Sequence, residues 1–153
     1  QMHIEVVEPG ELNTERMEGL LELVVQQMRF IGYEYTQGEA LAIVKHALRA
    51  GSRAILFVGT GEDGQVISFA FGNRCCGLEC GGDYLWLNEL YVLPQMRKGG
   101  IGSSMLTFVR EWAKGHGCVY MALVTHPKNT NAINFYEGMG METEPLVWVD
   151  RYL

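Results

Sequence analysis

Apolar and polar positions along the chain switch between two periods, and the switches mark out the elements. The run 3–7 alternates with period two and is closed by Pro9 and Gly10, which predicts a first strand. From 14 to 30 the period lengthens. Met17, Leu20, Leu21, Val24 and Met28 recur at helical steps with Glu15, Glu18 and Glu22 between them, predicting an amphipathic helix capped by Asn13 or Thr14. A second helix opens at Thr36-Gln37-Gly38-Glu39, a capping box in which Thr36 and Glu39 satisfy each other's backbone donors. It carries Leu41, Val44 and Leu48 on one face and stops at Gly51. Between the two helices, Tyr33-Glu34-Tyr35 either packs at the edge of the core or faces a ligand.

Strand periodicity returns at 53–58 and 65–71, joined as a hairpin by the Gly-rich loop 59–64. Residues 72–83, dense in glycine and holding Cys75, Cys76 and Cys80, read as a flexible connection. A long strand follows over 84–93 with a break in its parity: Leu85 and Leu87 suggest one phase, Leu90 and Val92 the other. A β-bulge near Asn88 and Glu89 reconciles the two phases, and a strand buried on both faces has the same appearance.

The next helix carries Ile101, Met105, Phe108, Val109 and Trp112 toward the core and breaks at Gly115-His116-Gly117. A buried strand over 118–124 comes next, then a helix over 129–139 with Ala132, Ile133, Phe135, Tyr136 and Met139 as its apolar positions. After Pro145, Leu146-Val147-Trp148-Val149 suits a closing strand. A meander of antiparallel strands followed by alternating strands and helices predicts a mixed α/β fold around one sheet.

Composition narrows the partners. At 153 residues and 48% hydrophobic content the chain suits one domain, over 2–153, with a substantial core. A net charge of −6 argues against general attraction to nucleic acid or anionic lipid and favours a positively charged substrate such as an amine. No run approaches the roughly 18 apolar residues of a membrane span, and the start lacks the basic-then-apolar pattern of a signal peptide, so a cytoplasmic protein is expected. The cysteines, Cys75, Cys76, Cys80 and Cys118, lack a paired Cys-x-x-Cys spacing or a nearby histidine, and free thiols with no metal are expected.

The chemistry concentrates at 90–106. A β-rich run ends at Pro94, an apolar helical pattern restarts at Ile101, and Arg97, Lys98, Gly99, Gly100 and Gly102 lie at the junction. Glycines at a helix start leave backbone N–H groups uncovered where the helix dipole is positive, so the turn suits an anion such as a pyrophosphate; alternatively the glycines only cap the helix. Two nucleotide motifs fail on spacing. Lys98 precedes the glycines, unlike the phosphate loop of nucleoside triphosphatases, and Gly100-Ile101-Gly102-Ser103-Ser104-Met105 puts methionine where a dinucleotide fold packs its third glycine.

Arg97-Lys98-Gly99-Gly100-Ile101-Gly102, directly after Leu90-Tyr91-Val92-Leu93-Pro94, resembles the Arg/Gln-x-x-Gly-x-Gly/Ala signature of the GCN5-related N-acetyltransferase (GNAT) superfamily. Further on, the segment from Asn129 through Ala132, Phe135 and Tyr136 to Gly140 and Met141 is similar to that family's second hallmark, with Met141 where phenylalanine is usual. With these two motifs in order, a strand between them and the predicted element order β-α-α-β-β-β-α-β-α-β, the resemblance covers most of the chain. The resemblance implies a GNAT-like α/β fold, a mixed and mostly antiparallel sheet of about six to seven strands flanked by about four helices.

The resemblance also implies acetyl-coenzyme A as cosubstrate. By that carry-over Arg97, Lys98, Gly99, Gly100, Ile101, Gly102 and Ser103 surround the pyrophosphate, the backbone of Leu90, Tyr91 and Val92 pairs with the pantetheine arm, and Asn129 contacts the cofactor near that arm. Tyr136 is the expected general acid, since a phenol with a pKa near 10 stays protonated at neutral pH and can hand a proton to a departing thiolate. Its alternative is a core aromatic. Glu89 is the first candidate for the base that takes a proton from the amine, with an edge carboxylate as its alternative; His126 is the second candidate. Glu34, Glu79 and Asp83 could anchor a cationic acceptor.

The expected reaction is transfer of an acetyl group to a primary amine of a small cationic molecule by direct attack. A protein N-terminus or lysine as acceptor, or a non-catalytic acyl-coenzyme A sensor, are the competing readings. Dimerisation through C-terminal strands is common in the family, which makes a homodimer through 146–152 an open expectation.

Overall fold

A computed structural model describes residues 2–12 and 15–153. The chain divides into two compact units, Gln1–Leu123 and Val124–Leu153. The first holds the sheet: strands β1 (His3–Val7), β2 (Ala54–Thr60), β3 (Val66–Gly77), β4 (Gly82–Val92) and β5 (Tyr120–Ala122), with helices α1 (Met17–Phe30), α2 (Gln37–Ala47) and α3 (Ile101–Gly115). Strand order follows the chain, β1-β2-β3-β4-β5, antiparallel throughout except for the parallel β4–β5 pair. The second unit contains helix α4 (Thr130–Gly138).

The register assigns each face. Val7 lies opposite Leu56, Leu56 opposite Phe71 and Phe69 opposite Tyr91, and this face is covered by Leu20, Leu21 and Leu23 of α1 and Ala40 and Val44 of α2. The other face receives α3: the fully buried Phe57 meets Phe108 and Trp112 edge-on at 6.1 and 5.5 Å. Each fully buried leucine or phenylalanine contributes roughly 1.5–3 kcal/mol, so these two layers hold the fold. On α3 the buried residues are Met105, Leu106, Val109 and Ala113, a stripe turned slightly from the predicted one, with Phe108 at the margin.

The capping box of α2 is present as predicted: Thr36 Oγ1 accepts from Glu39 N–H and Glu39 Oε1 accepts from Thr36 N–H, both at 3.0 Å. The predicted cap of α1 at Asn13 or Thr14 lies outside the described residues; Arg16 precedes the first turn, with no side-chain cap.

Three expectations are corrected. The sheet has five strands among the described residues, where about six to seven were expected. The apolar run Leu146 to Val149 forms no strand and is largely exposed, because β-propensity makes a strand only where a ladder partner is supplied. The segment 72–77 is the second half of β3, not a connection: Gly72 pairs with Leu87 and Gly77 with Gly82. Its glycines are there for space. A Cβ on Gly72 would come within 3.0 Å of both Leu85 Cδ1 and Trp86 O, and one on Gly77 within 2.9 Å of Cys80 Sγ.

Candidate active site

The parity break in β4 is a bulge. Phe71 lies opposite Glu89 and Gly72 opposite Leu87, so Asn88 is the extra residue. Because Phe71 and Gly72 are consecutive on β3, Leu87 and Glu89 point to opposite faces. Leu85, Leu87, Leu90 and Val92 therefore share the α3 side, while Glu89 and Tyr91 turn toward α1. Asn73 Nδ2 donates to Asn88 Oδ1 at 2.8 Å and ties the bulge to β3.

On the α1 side two adjacent glutamines meet the strand. Gln27 Nε2 donates to Glu89 Oε1 at 3.0 Å, and the Tyr91 hydroxyl donates to Gln26 Oε1 at 3.2 Å. Burial pushes the Glu89 carboxyl above the usual carboxylate range, and the hydrogen bond from Gln27 pulls in the opposite direction. A half-buried carboxylate whose burial raises its proton affinity is a stronger proton acceptor than an exposed one. No sequence pattern singles out either glutamine, because no spacing connects them to residue 89.

Past the bulge the backbone of β4 is divided between two sides. Leu93 N–H donates to Ile67 O at 2.8 Å, so antiparallel alternation places Tyr91 and Glu89 in the hydrogen-bonded pairs with β3 and turns the N–H and C=O of Leu90 and Val92 the other way. On that other side β5 pairs only with Tyr84, Leu85 and Trp86. Arg97 reaches back to this edge: its Nε donates to Val92 O at 2.9 Å and its guanidinium lies 5.2 Å from the centre of the Tyr91 ring.

Next comes the glycine turn. Lys98 and Gly100 hold φ of 67° and 85°, and Gly100 stands at the start of α3 with no side chain capping the helix and no acidic residue in its first turn. A Cβ at Gly100 would meet nothing within 4 Å. The first N–H groups of α3 have no acceptor within the helix and no side-chain cap, and Arg97 and Lys98 precede them. That geometry fits a phosphate group, because orphan donors and the helix dipole act in the same direction.

In the second unit, Asn129 Oδ1 accepts from Ala132 N–H at 3.2 Å and caps α4. Tyr136 lies on that helix, half-buried, its ring edge-on to Phe135 at 5.1 Å. His126 is exposed, and its Nδ1 accepts from Lys128 N–H at 3.0 Å. Of the candidate acceptor anchors, Asp83 is held by Arg53 at 2.9 Å and Glu34 lies 3.5 Å from Arg29, while Glu79 sits exposed in the β3–β4 turn. Tyr33 and Tyr35 stack at 6.2 Å. All four cysteines are free thiols, and burial pushes the Cys118 thiol up, away from reactivity. Among the described residues no cluster of three His, Cys, Asp or Glu is placed to hold a metal, and no helix is long and apolar enough to cross a membrane.

A strand with a bulge, an edge that outruns its parallel neighbour and a glycine turn opening a helix thus follow one another on a mixed sheet. Residues 18–141 match the model of the acetyltransferase (GNAT) family, and the chain belongs to that family. The chain is 28% identical over 89 residues to an aminoglycoside N(6′)-acetyltransferase type 1 of Klebsiella aerogenes, covering 57% of this chain and 59% of that protein. It is 34% identical over 70 residues to a thialysine N-epsilon-acetyltransferase of Mus musculus, covering 44% and 41%. The chain thus spans about half the length of these curated relatives. Among solved structures, aminoglycoside N-acetyltransferase AAC(6′)-Iy in complex with CoA shares the fold at a TM-score of 0.76 and 22% identity, over 100% of this chain and 97% of that one.

Proposed function

We propose that the chain is a single-domain N-acetyltransferase that moves an acetyl group from acetyl-coenzyme A to a primary amine of a small cationic molecule. The observation that carries the reading is β4 beyond its bulge. There Leu90 and Val92 turn their backbone groups away from β3, the partner strand has ended, and the chain passes through one 3-10 turn, Pro94–Met96, into an uncapped glycine turn with no acidic residue. Acetyl-coenzyme A supplies an acyl group activated as a thioester. The turn from Arg97 to Ser103 binds its pyrophosphate through backbone N–H groups, Arg97 and Lys98 add charge, and the outward groups of Leu90 and Val92 pair with an amide-bearing arm. Asn129 contacts the same arm.

Glu89 takes the proton from the acceptor ammonium, a role supported by its half-buried position and raised pKa. Tyr136 donates a proton to the departing thiolate, in keeping with its place in the second hallmark motif. The named relatives act on aminoglycosides and on thialysine, amines that are cationic at neutral pH, and the net charge of −6 suits such an acceptor.

The test is release of coenzyme A thiol from acetyl-coenzyme A across a panel of aminoglycosides, polyamines, lysine analogues and peptides. Acceptor-dependent thiol from the small amines is expected, with Tyr136→Phe slowing turnover by about 10²-fold or more while leaving cofactor affinity nearly intact. Tight cofactor binding with no thiol from any amine would instead make the chain a sensor, and an unchanged Tyr136→Phe rate would remove that phenol from the reaction.

A further inference from the structure

We infer that Gln27 is the positioning residue of Glu89: its side-chain amide holds the carboxylate in one orientation and sets the pH at which that carboxylate can accept a proton. The inference rests on the reading of Glu89 as the base and extends it to a residue in α1, 62 positions away in the chain. The bulge at Asn88 turns Glu89 out of the α3 face and under α1, where Gln27 Nε2 donates to its Oε1 at 3.0 Å. An amide N–H given to a carboxylate favours the charged form, and burial favours the neutral one. Gln27 therefore keeps Glu89 from being carried too far by its own burial.

Of the charged groups on the surrounding elements, Arg97 comes onto this face, with its guanidinium 5.2 Å from the Tyr91 ring and its Nε on Val92 O, and on α2 Glu39, Lys45 and His46 are exposed. On α1, Glu18, Glu22 and Arg29 are exposed, and Arg29 faces Glu34. On β3, Arg74 lies over the Trp112 ring at 5.6 Å. On α3, Arg110, Glu111 and Lys114 are exposed, and on β4 itself Asp83 is paired with Arg53 while the Tyr91 hydroxyl is engaged by Gln26. The two opposing influences on the Glu89 proton are burial and Gln27.

The experiment follows the Glu89 carboxyl directly by NMR in protein labelled at the glutamate side-chain carbon, assigned by loss of the signal in Glu89→Gln. Gln27→Met keeps an unbranched helix-forming side chain of similar volume and removes the donor. Gln27→Glu replaces the donor by a like charge and serves if the methionine variant does not fold. The titration midpoint of Glu89 is expected to rise by about half a unit to one unit in Gln27→Met and further in Gln27→Glu. Unmoved midpoints in both variants would overturn the inference.

A kinetic arm separates it from the reading beneath it. With acetyl-coenzyme A and an aminoglycoside that the wild-type protein acetylates, the acid limb of kcat/KM should move to higher pH in Gln27→Met by the same amount as the NMR midpoint, and should vanish in Glu89→Gln. An acid limb that survives Glu89→Gln would remove Glu89 as the base while leaving the coupling between Gln27 and Glu89 to stand on the NMR result.

Discussion

The two halves of β4 are built differently. Up to Leu87 the strand is a sheet element in the ordinary sense, paired with β3 on one side and, over Tyr84 to Trp86, with β5 on the other. From Glu89 to Val92 it keeps β3 and loses β5, and side chains take up its polar groups: Gln27 holds Glu89, Gln26 holds the Tyr91 hydroxyl and Arg97 holds the carbonyl of Val92. The first half is laddered on both sides over Tyr84 to Trp86, and the second keeps its ladder to β3 while a side-chain contact from Arg97 takes up its other side at Val92. Asn88 stands at the boundary. The difference teaches how a strand can end one ladder early while keeping its other side rigid, which leaves precise backbone donors and acceptors on a supported strand.

The largest effect is expected at Glu89, the proposed base in the second half of the strand. Glu89→Gln should lower kcat by about 10²–10⁴-fold, read by thiol release with a small amine. Its effect on stability should have the opposite sign. Burial raises the folded-state pKa of Glu89, so as pH rises the unfolded chain loses this proton first, and folded stability falls between the unfolded and the folded pKa. Glutamine has no charge to desolvate, so Glu89→Gln should be more stable than wild type at neutral pH. The gain should disappear as pH falls below the ordinary carboxylate range, measured by urea unfolding at several pH values. A variant equally stable at every pH would show that Glu89 is not strained by its surroundings.

Deleting Asn88 tests the boundary itself and should have the next largest effect. Leu87 and Glu89 pair with consecutive residues of β3, so the shortened strand keeps every side chain on its present face. The fold should survive, losing about 1 kcal/mol with the Asn73–Asn88 hydrogen bond. Straightening the strand shifts the aim of Glu89 and of the Leu90 and Val92 backbone, and activity should drop by up to about 10²-fold. Native far-ultraviolet dichroism with full activity would take the bulge out of the mechanism.

The bulge was legible as one of two readings of the broken parity, the other being a strand buried on both faces; packing on α3 decides it, since Leu85, Leu87, Leu90 and Val92 share that face only with an extra residue between them. The α2 capping box was legible for the same local reason, since Thr36 and Glu39 need nothing but each other. The second half of β3 was not. Its glycines read as a loop, yet Gly72 is dictated by the distance to Leu85 and Trp86 across the pair, which no local pattern encodes. The run at Leu146 failed in the opposite direction, with strand propensity and no ladder. Glu89 was visible as a carboxylate in an apolar run, but Gln27, which holds it, is joined to it only by the packing of α1 on the sheet.

The smallest effect belongs to the far end of the ladder, and it completes the comparison. Arg53 Nη2 meets Asp83 Oδ2 at 2.9 Å with the two side chains 52% and 38% exposed, and Arg53 Nε donates to Arg74 O at 3.0 Å. An exposed pair of this kind is worth at most about 1 kcal/mol and is screened by salt. Arg53→Gln should therefore lower the midpoint of thermal unfolding by a few degrees at low ionic strength, with the difference shrinking in concentrated salt, while kcat/KM stays within about twofold of wild type. The ladder between Gly82 and Leu87 provides the reason: β3 and β5 hold this half of the strand from both sides, so loosening one surface pair leaves the bulge and everything beyond it in place. A loss of activity well beyond twofold would mean that strain at Asp83 travels along the backbone to Glu89, and the two halves of β4 would then have to be treated as one element.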